Sequence, residues 1–130
     1  PGGIVAVMTW GRPEGMEAAS VVGALRPLLL PQPPGAPGPF SLSDPDRLSG
    51  FVAEAGLAPR EVIEGDTFWT YPDQATALRG VNSSGVAIRA VGLVGEAAVT
   101  AAHAAALAPF RQADGSFRIG TRYMAVLALA

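Results

Sequence analysis

The sequence contains no cysteine and no lysine, has one histidine, and is poor in charge of either sign. The lack of cysteine excludes disulfide bonds and a thiol nucleophile. Charged residues make up 15% of the chain, against about 25% in typical domains, and the net charge is only −2. This balance favours neither nucleic acid nor an acidic membrane surface as a partner. No signal peptide is apparent, and no apolar run approaches the roughly 20 residues that cross a bilayer, so we expect a cytoplasmic protein without membrane contact.

The chain is nevertheless rich in apolar residues. Hydrophobic side chains account for 49% of its 130 residues, and the mean hydropathy is +0.31. A chain of this length buries a sizeable core, and we predict that residues 1–130 form a single domain. Because so little charge is present, one of its surfaces is expected to meet a partner.

An apolar strand at the start of the chain is the element around which the other predictions are arranged. Pro1-Gly2-Gly3 is typical of a turn, and the unbroken run Ile4–Met8 favours a strand buried on both faces of a mainly parallel sheet. Thr9 and Trp10 follow at its carboxyl end, where side chains of an open α/β sheet face the ligand-binding crevice. Such a turn normally connects a preceding helix to a strand, and the chain does not begin with Met. We therefore expect a sequence that starts inside a longer polypeptide.

Two amphipathic helices follow the first strand. The first is predicted over residues 15–29 and ends or frays near Pro27. The second is predicted over residues 43–57, with Asp44 as its N-cap and Gly56 as the residue after its C-cap. These two segments indicate a fold in which helices and strands alternate.

Two further strands complete an α/β pattern. One is predicted over residues 60–71, with a bulge or bend at Gly65, and the other over residues 117–129. The remaining segments are a Pro/Gly connector over residues 30–40 and a weaker helical region over residues 72–110.

Other chemistries receive little support. His103 falls on the apolar stripe of its predicted helix, which favours a packed residue over a general base. Asp44 and Asp46 are better explained as charges at a helix N-terminus than as a metal pair. Four aromatic residues fit a core and a binding pocket about equally well: Trp10, Phe68, Trp69 and Tyr71.

Several short motifs recur in a recognisable order. A PGG turn leads to the strand that ends in Thr9-Trp10; a PF-x-L-x-D-P-D-x-L helix then runs into an A-G-L turn. An aromatic strand, a helical segment with Ser-Ser-Gly and a last strand after an Asp-Gly turn complete the series. Over essentially the whole chain this order resembles the C-terminal half of class I S-adenosylmethionine-dependent methyltransferases, similar to the ubiquinone/menaquinone-biosynthesis and other small-molecule methyltransferases.

The resemblance implies a particular sheet. Residues 1–10 would be the fifth strand of a Rossmann-like sheet, residues 60–71 the sixth and residues 117–129 the seventh. In that family the seventh strand lies antiparallel between the other two, in the order 5-7-6, and is covered on both faces. Residues 72–110 would be a helical insertion that caps the substrate cavity.

The resemblance also implies a function, the substrate-side part of a methyltransferase that acts on a small molecule. The family binds S-adenosylmethionine through a glycine-rich loop and an acidic residue that this sequence does not contain. We therefore expect the chain alone to be inactive and not to bind this cofactor, and no catalytic residue is assigned. With one histidine in the sequence, no metal is expected either. The alternative is a non-enzymatic α/β module that binds an apolar ligand or associates with itself. The residues expected to border one substrate cavity are Thr9, Trp10, Trp69, Tyr71, Ser83 and Ser84.

A second copy of the chain is the other expected partner. In the family sheet a fourth strand, which is not in this sequence, pairs with the outer edge of the fifth. Ile4–Met8 carries no lysine, no internal proline and no inward charge that would protect such an edge. We therefore expect a two-fold homodimer joined through this strand or the surface beside it.

Overall fold

A computed structural model of the chain describes residues 2–130, so Pro1 of the predicted turn lies outside the described residues. Strands and helices alternate in this range, and the protein belongs to the α/β class. The strands are β1 (Ile4–Trp10), β2 (Ala58–Tyr71) and β3 (Phe117–Leu129). The helices are α1 (Ala18–Gly23), α2 (Pro45–Glu54), α3 (Gln74–Asn82), α4 (Gly85–Val94) and α5 (Glu96–Leu107), with short 3-10 turns at Arg26–Leu28 and Ala108–Phe110.

The strands form one open antiparallel sheet in the order β1-β3-β2. β3 runs antiparallel to β1, with Ile4 opposite Leu129 and Trp10 opposite Tyr123. The prediction that the last strand lies between the other two and antiparallel to the first is therefore confirmed. The predicted helical segment between β2 and β3 is also present, as α3, α4 and α5.

Internal contacts divide the chain into two compact units. The first contains the chain up to Met16, together with Gly35–Thr67 and Thr121–Ala130. The second contains Glu17–Pro34 and Phe68–Gly120. Strands β2 and β3 therefore contribute residues to both units.

In the first unit, α2 covers one face of the sheet. Its Leu48 and Val52 are buried against alternate residues of β3, which are Met124, Val126 and Ala128. The partly buried residues around this cluster are Val7, Leu42, Leu57 and Val62. Burial of each large aliphatic side chain contributes about 1.5–3 kcal/mol to folding, so this cluster anchors α2 to the strands.

Local chemistry defines both ends of α2. The Asp44 side chain accepts hydrogen bonds from the backbone N–H groups of Asp46 and Arg47, as predicted for the N-cap. At the other end Gly56 has a positive φ of 82°, and the N–H of Leu57 donates to the carbonyl of Val52. This is the glycine-terminated C-cap that the sequence predicted.

The opposite face of the sheet corrects one prediction. Ile4 and Met8 of β1 are 74% and 70% exposed, so β1 is not buried on both faces. In β3, Met124, Val126 and Ala128 are buried while the alternate residues are only half-buried, so β3 is not fully covered on both faces either. The physical reason is that α2 packs on one face of these strands and leaves the other more open.

In the second unit, α5 is the central helix and contacts α1, α3 and α4. The buried cluster there combines one large residue from the segment after α1 with small residues of α4 and Val99 of α5: Leu25, Ala87, Ala90 and Val99. The predicted helix over residues 15–29 is wrong in length, because α1 ends at Gly23 and a 3-10 turn follows. Pro27 explains the break, since its ring would clash with the carbonyl of Gly23 in a continuous α-helix.

Candidate functional site

A cleft of about 380 Å³ lies in the first unit, beside the carboxyl end of β1 and the N-terminus of α2. It is a shallow depression that is widely open to solvent. Two segments form its walls, one directly after β1 and one that continues into the first turn of α2. The lining residues are Arg12, Pro13, Glu14, Phe40, Ser41, Ser43, Asp44 and Arg47.

The segment after β1 is held in place by Arg122 of β3. The Arg122 guanidinium donates through Nε to Asp66 at 2.9 Å and through NH1 to the backbone carbonyl of Glu14 at 3.2 Å. Gly11 lies so close to Arg122 that a Cβ there would be 2.7 Å from the Arg122 Cβ. Glycine is therefore required at the start of this wall, and Arg122 positions the rest of it.

The segment before α2 is tied to the end of β1 by a buried serine. Ser43 is only 6% exposed, and its hydroxyl donates to the Trp10 carbonyl at 2.7 Å. Asp44 follows at once and caps α2. The two walls are thus connected at the base of the cleft.

Both signs of charge are present at the cleft. The guanidinium of Arg12 is 3.5 Å from the Asp44 carboxylate, and both side chains are about half-exposed. The exposed Arg47 guanidinium makes no hydrogen bond or ion pair to any other residue in the described chain, and Phe40 adds a half-buried ring. The cleft therefore presents the Arg47 guanidinium and a half-buried aromatic ring beside the Arg12–Asp44 ion pair.

The residues predicted to share one substrate cavity are divided between the units. Thr9 and Trp10 are half-buried at the end of β1 in the first unit, and Trp10 holds Ser43 through its carbonyl. The other four belong to the second unit: Trp69, Tyr71, Ser83 and Ser84. That all six border one cavity stays a prediction.

In the second unit, Tyr71 packs closely on α3. A Cβ at Gly80 would lie 3.0 Å from the Tyr71 ring, so glycine at position 80 leaves room for this contact. Partial burial raises the pKa of the Tyr71 hydroxyl above its ordinary value by desolvation. Tyr71 is therefore protonated at neutral pH.

Ser83 and Ser84 have helix-capping roles. The Ser83 hydroxyl donates to the Gly80 carbonyl at 2.7 Å at the end of α3, and the Ser84 hydroxyl accepts from the N–H of Ala87 at the start of α4. Both hydroxyls thus stabilise the α3–α4 turn. This capping explains why polar residues occur there.

His103 is packed inside its helical unit, as the sequence favoured. The residue is 3% exposed, and its Nδ1 lies 2.6 Å from Oδ1 of Asn82. The Asn82 amide nitrogen donates to the Thr100 hydroxyl, which leaves Oδ1 as an acceptor. We therefore assign the hydrogen of the neutral imidazole to Nδ1, and desolvation lowers the pKa of His103.

Sequence reasoning missed the arginines of the cleft. Arg12 lies two residues beyond the end of β1, at a position where the strand-end rule applies as well as it does to Thr9. Arg47 gave no such signal, because one arginine in the first turn of a helix is indistinguishable from an ordinary surface charge.

Comparison with protein-family models and with curated proteins finds no match to this chain. Among residues 2–130, no group of three or more His, Asp or Glu side chains is arranged to hold a metal ion. In the same range, no helix has the length and apolar character that a bilayer span requires.

Proposed function

We propose that this chain is the substrate-side part of an S-adenosylmethionine-dependent methyltransferase that acts on a small molecule. The observation that carries the proposal is the place of β3, the last strand, antiparallel to β1 and between β1 and β2. In the proposed assignment β1, β3 and β2 are the fifth, seventh and sixth strands of the methyltransferase sheet. The helical segment between β2 and β3 then corresponds to the family's insertion.

The residues after β1 do not fit S-adenosylmethionine. Gly11 is accounted for by the close approach of Arg122, and Pro13 has no N–H to offer a ligand. The Asp44 carboxylate, the acidic group nearest a helix start in this unit, is already engaged as the cap of α2. Cofactor binding is therefore proposed to lie in a separate half of the enzyme.

The proposed contribution of this chain is to bind and orient the methyl acceptor. Arg47 and Arg12 would pair with an acidic group of the acceptor, and Phe40 would contact its apolar part. Methyl transfer depends mainly on alignment of donor and acceptor. A cleft without a general base is compatible with that role.

The experiment compares the chain with a longer polypeptide that includes, in frame, the coding sequence immediately upstream in its gene. Calorimetry should show no S-adenosylmethionine binding to the chain alone and binding to the longer polypeptide with a Kd on the order of 1 μM, about −8 kcal/mol. Tight binding to the chain alone, or none to the longer polypeptide, would overturn the proposal.

The acceptor site is tested in the longer polypeptide. Arg47→Ala should raise the KM for the acceptor at least about tenfold, since a charged hydrogen bond is lost, and Trp10→Ala should raise KM or lower kcat without unfolding the protein. The matched control is Arg89→Ala, which replaces an exposed arginine on α4 in the second unit.

A second candidate function is a non-enzymatic self-associating module, which the edge position of β1 favours.

A further inference from the structure

Backbone hydrogen bonds at both ends of β1 show which of its residues bond to β3 and which do not. The N–H of Gly11 donates to the carbonyl of Arg122, and the N–H of Ala130 donates to the carbonyl of Gly3, both at 2.9 Å. These two pairs lie in the register of β1 with β3. In an antiparallel ladder, hydrogen-bonded residues alternate with residues that point away from the neighbour. The odd-numbered residues of β1 therefore bond to β3, and the even-numbered ones point outward.

The outward groups of β1 have different surroundings at its two ends. The outward carbonyl of Trp10 accepts from Ser43, which agrees with this parity. The backbone N–H and C=O groups of Ile4, Ala6 and Met8 point outward at the sheet edge. None of them is hydrogen-bonded to another residue within the range 2–130. Each contributes one N–H and one C=O, so six backbone groups are open along this segment.

We propose that a second copy of the chain occupies this edge, through two-fold antiparallel pairing of β1 centred on Ala6. In this register Ala6 faces Ala6 of the other copy, and Ile4 faces Met8. The three residues of each copy form hydrogen-bonded pairs, which satisfies all six outward groups on both strands. The sheet becomes six-stranded, in the order β2-β3-β1-β1-β3-β2.

Self-pairing is favoured over another partner by charge and by symmetry. Ile4–Trp10 contains no charged residue, so two copies meet without repulsion. The strand also carries no charge that would select a partner protein of opposite charge. The exposed side chains Ile4 and Met8 lie on one face on either side of Ala6, so each aliphatic group contacts one from the other copy. The contact is confined to three backbone residues and two exposed side chains of each copy, so the dimer is weak and reversible.

The absence of cysteine provides a direct test of the register. In a hydrogen-bonded pair the Cα atoms are about 5.5 Å apart, which suits a disulfide, so Ala6→Cys should oxidise to a covalent dimer. Ile4→Cys should not, because the two substituted residues would be about 13 Å apart along the strands. Ala53→Cys, at an exposed position of α2, measures cross-linking by random collision. Equal cross-linking at the three positions, or more at position 4 than at position 6, would overturn the proposal.

Sedimentation equilibrium of the cysteine-free chain tests the dimer itself. At high micromolar concentration a monomer–dimer equilibrium is expected, and Ala6→Lys should weaken it at least about tenfold because two charges would meet on the two-fold axis. Ala53→Lys makes the same change in charge away from the edge and should have no effect. A strictly monomeric chain, or a dimer that Ala6→Lys leaves intact, would refute pairing through β1; the second result would indicate another surface, such as the exposed aliphatic residues of α4.

Discussion

Replacement of Gly65 by alanine tests how closely β2 and β3 pack in the first unit. A Cβ at position 65 would lie 2.6 Å from both Cζ and Oη of Tyr123. Favourable contacts between carbon atoms require about 3.5–4.0 Å, so the ring would have to move by about 1 Å. Trp10 lies opposite Tyr123 on β1, which restricts movement to that side. Gly65→Ala is therefore expected to overpack this part of the sheet.

Two opposing effects set the size of the change. Overpacking costs about 1–3 kcal/mol, whereas alanine in a strand is better than glycine by about 0.5–1 kcal/mol. Gly65→Ala should therefore lower the free energy of unfolding by about 1–2 kcal/mol. In a Tyr123→Ala background the ring is absent, so the same change should raise that free energy by about 0.5–1 kcal/mol.

The parent, the two single variants and the double variant form a double-mutant cycle. Urea unfolding of these four proteins at one low protein concentration measures whether the effect of Gly65→Ala on the free energy of unfolding changes sign. Gly50→Ala is the matched control, because Gly50 lies within α2 and a Cβ there would meet no atom within 4 Å. It should stabilise the protein by up to about 1 kcal/mol in both backgrounds. If Gly65→Ala is as stable as the parent while Tyr123 is present, the close packing described here is wrong.

Two further predictions concern single side chains. Asp44→Ala should lower the free energy of unfolding by about 1 kcal/mol, because the cap of α2 is lost. Asp44→Asn keeps the cap and loses only the exposed ion pair with Arg12, so it should change this free energy little. Urea unfolding measures both variants, and equal losses would contradict the capping role. Because burial lowers the pKa of His103, the unfolded chain binds the proton first as the pH falls below about 6.5. The free energy of unfolding should keep its full value above that pH. Below it, this free energy should fall by up to about 1.4 kcal/mol per pH unit until the folded-state pKa of His103 is reached. His103→Gln should reduce this loss, and an unchanged pH profile would show that His103 titrates normally.

Local signals predicted both ends of α2 and the strand segments well, whereas the length of α1 was predicted wrongly. The cap of α2 and its terminating glycine follow from side-chain and backbone chemistry within a few residues, and β3 spans the predicted residues 117–129. The burial of β1 could not be predicted in this way. Whether the side chains of Ile4 and Met8 are covered depends on elements distant in the sequence, and the apolar run alone does not state how many of its faces are covered.

The candidate site was less predictable for a related reason. The resemblance predicts Ser83 and Ser84 at the cavity because strand ends and the helical insertion meet there in the family fold, and in the structure their hydroxyls bond to the backbone of α3 and α4. Arg122, which positions the loop after β1, lies in a strand pattern where only its apolar neighbours carry a periodic signal. Its contacts with Asp66 and Glu14 link residues 56 and 108 positions apart. Such links follow from strand pairing, which a single sequence does not reveal.

The free edge of β1 connects the two proposals, because the two strand pairings they require cannot occur together in one molecule. In a methyltransferase sheet the outward groups of Ile4, Ala6 and Met8 would pair with a fourth strand contributed by the cofactor-binding half. A copy of the chain would pair with the same groups, and a strand edge accepts only one neighbour. If both proposals hold, joining the upstream half must therefore abolish self-association as it creates S-adenosylmethionine binding. Ala6→Cys then cross-links the 130-residue chain and fails to cross-link the longer polypeptide. Cross-linking that persists in a cofactor-binding polypeptide would show that β1 is not the fifth strand of such a sheet.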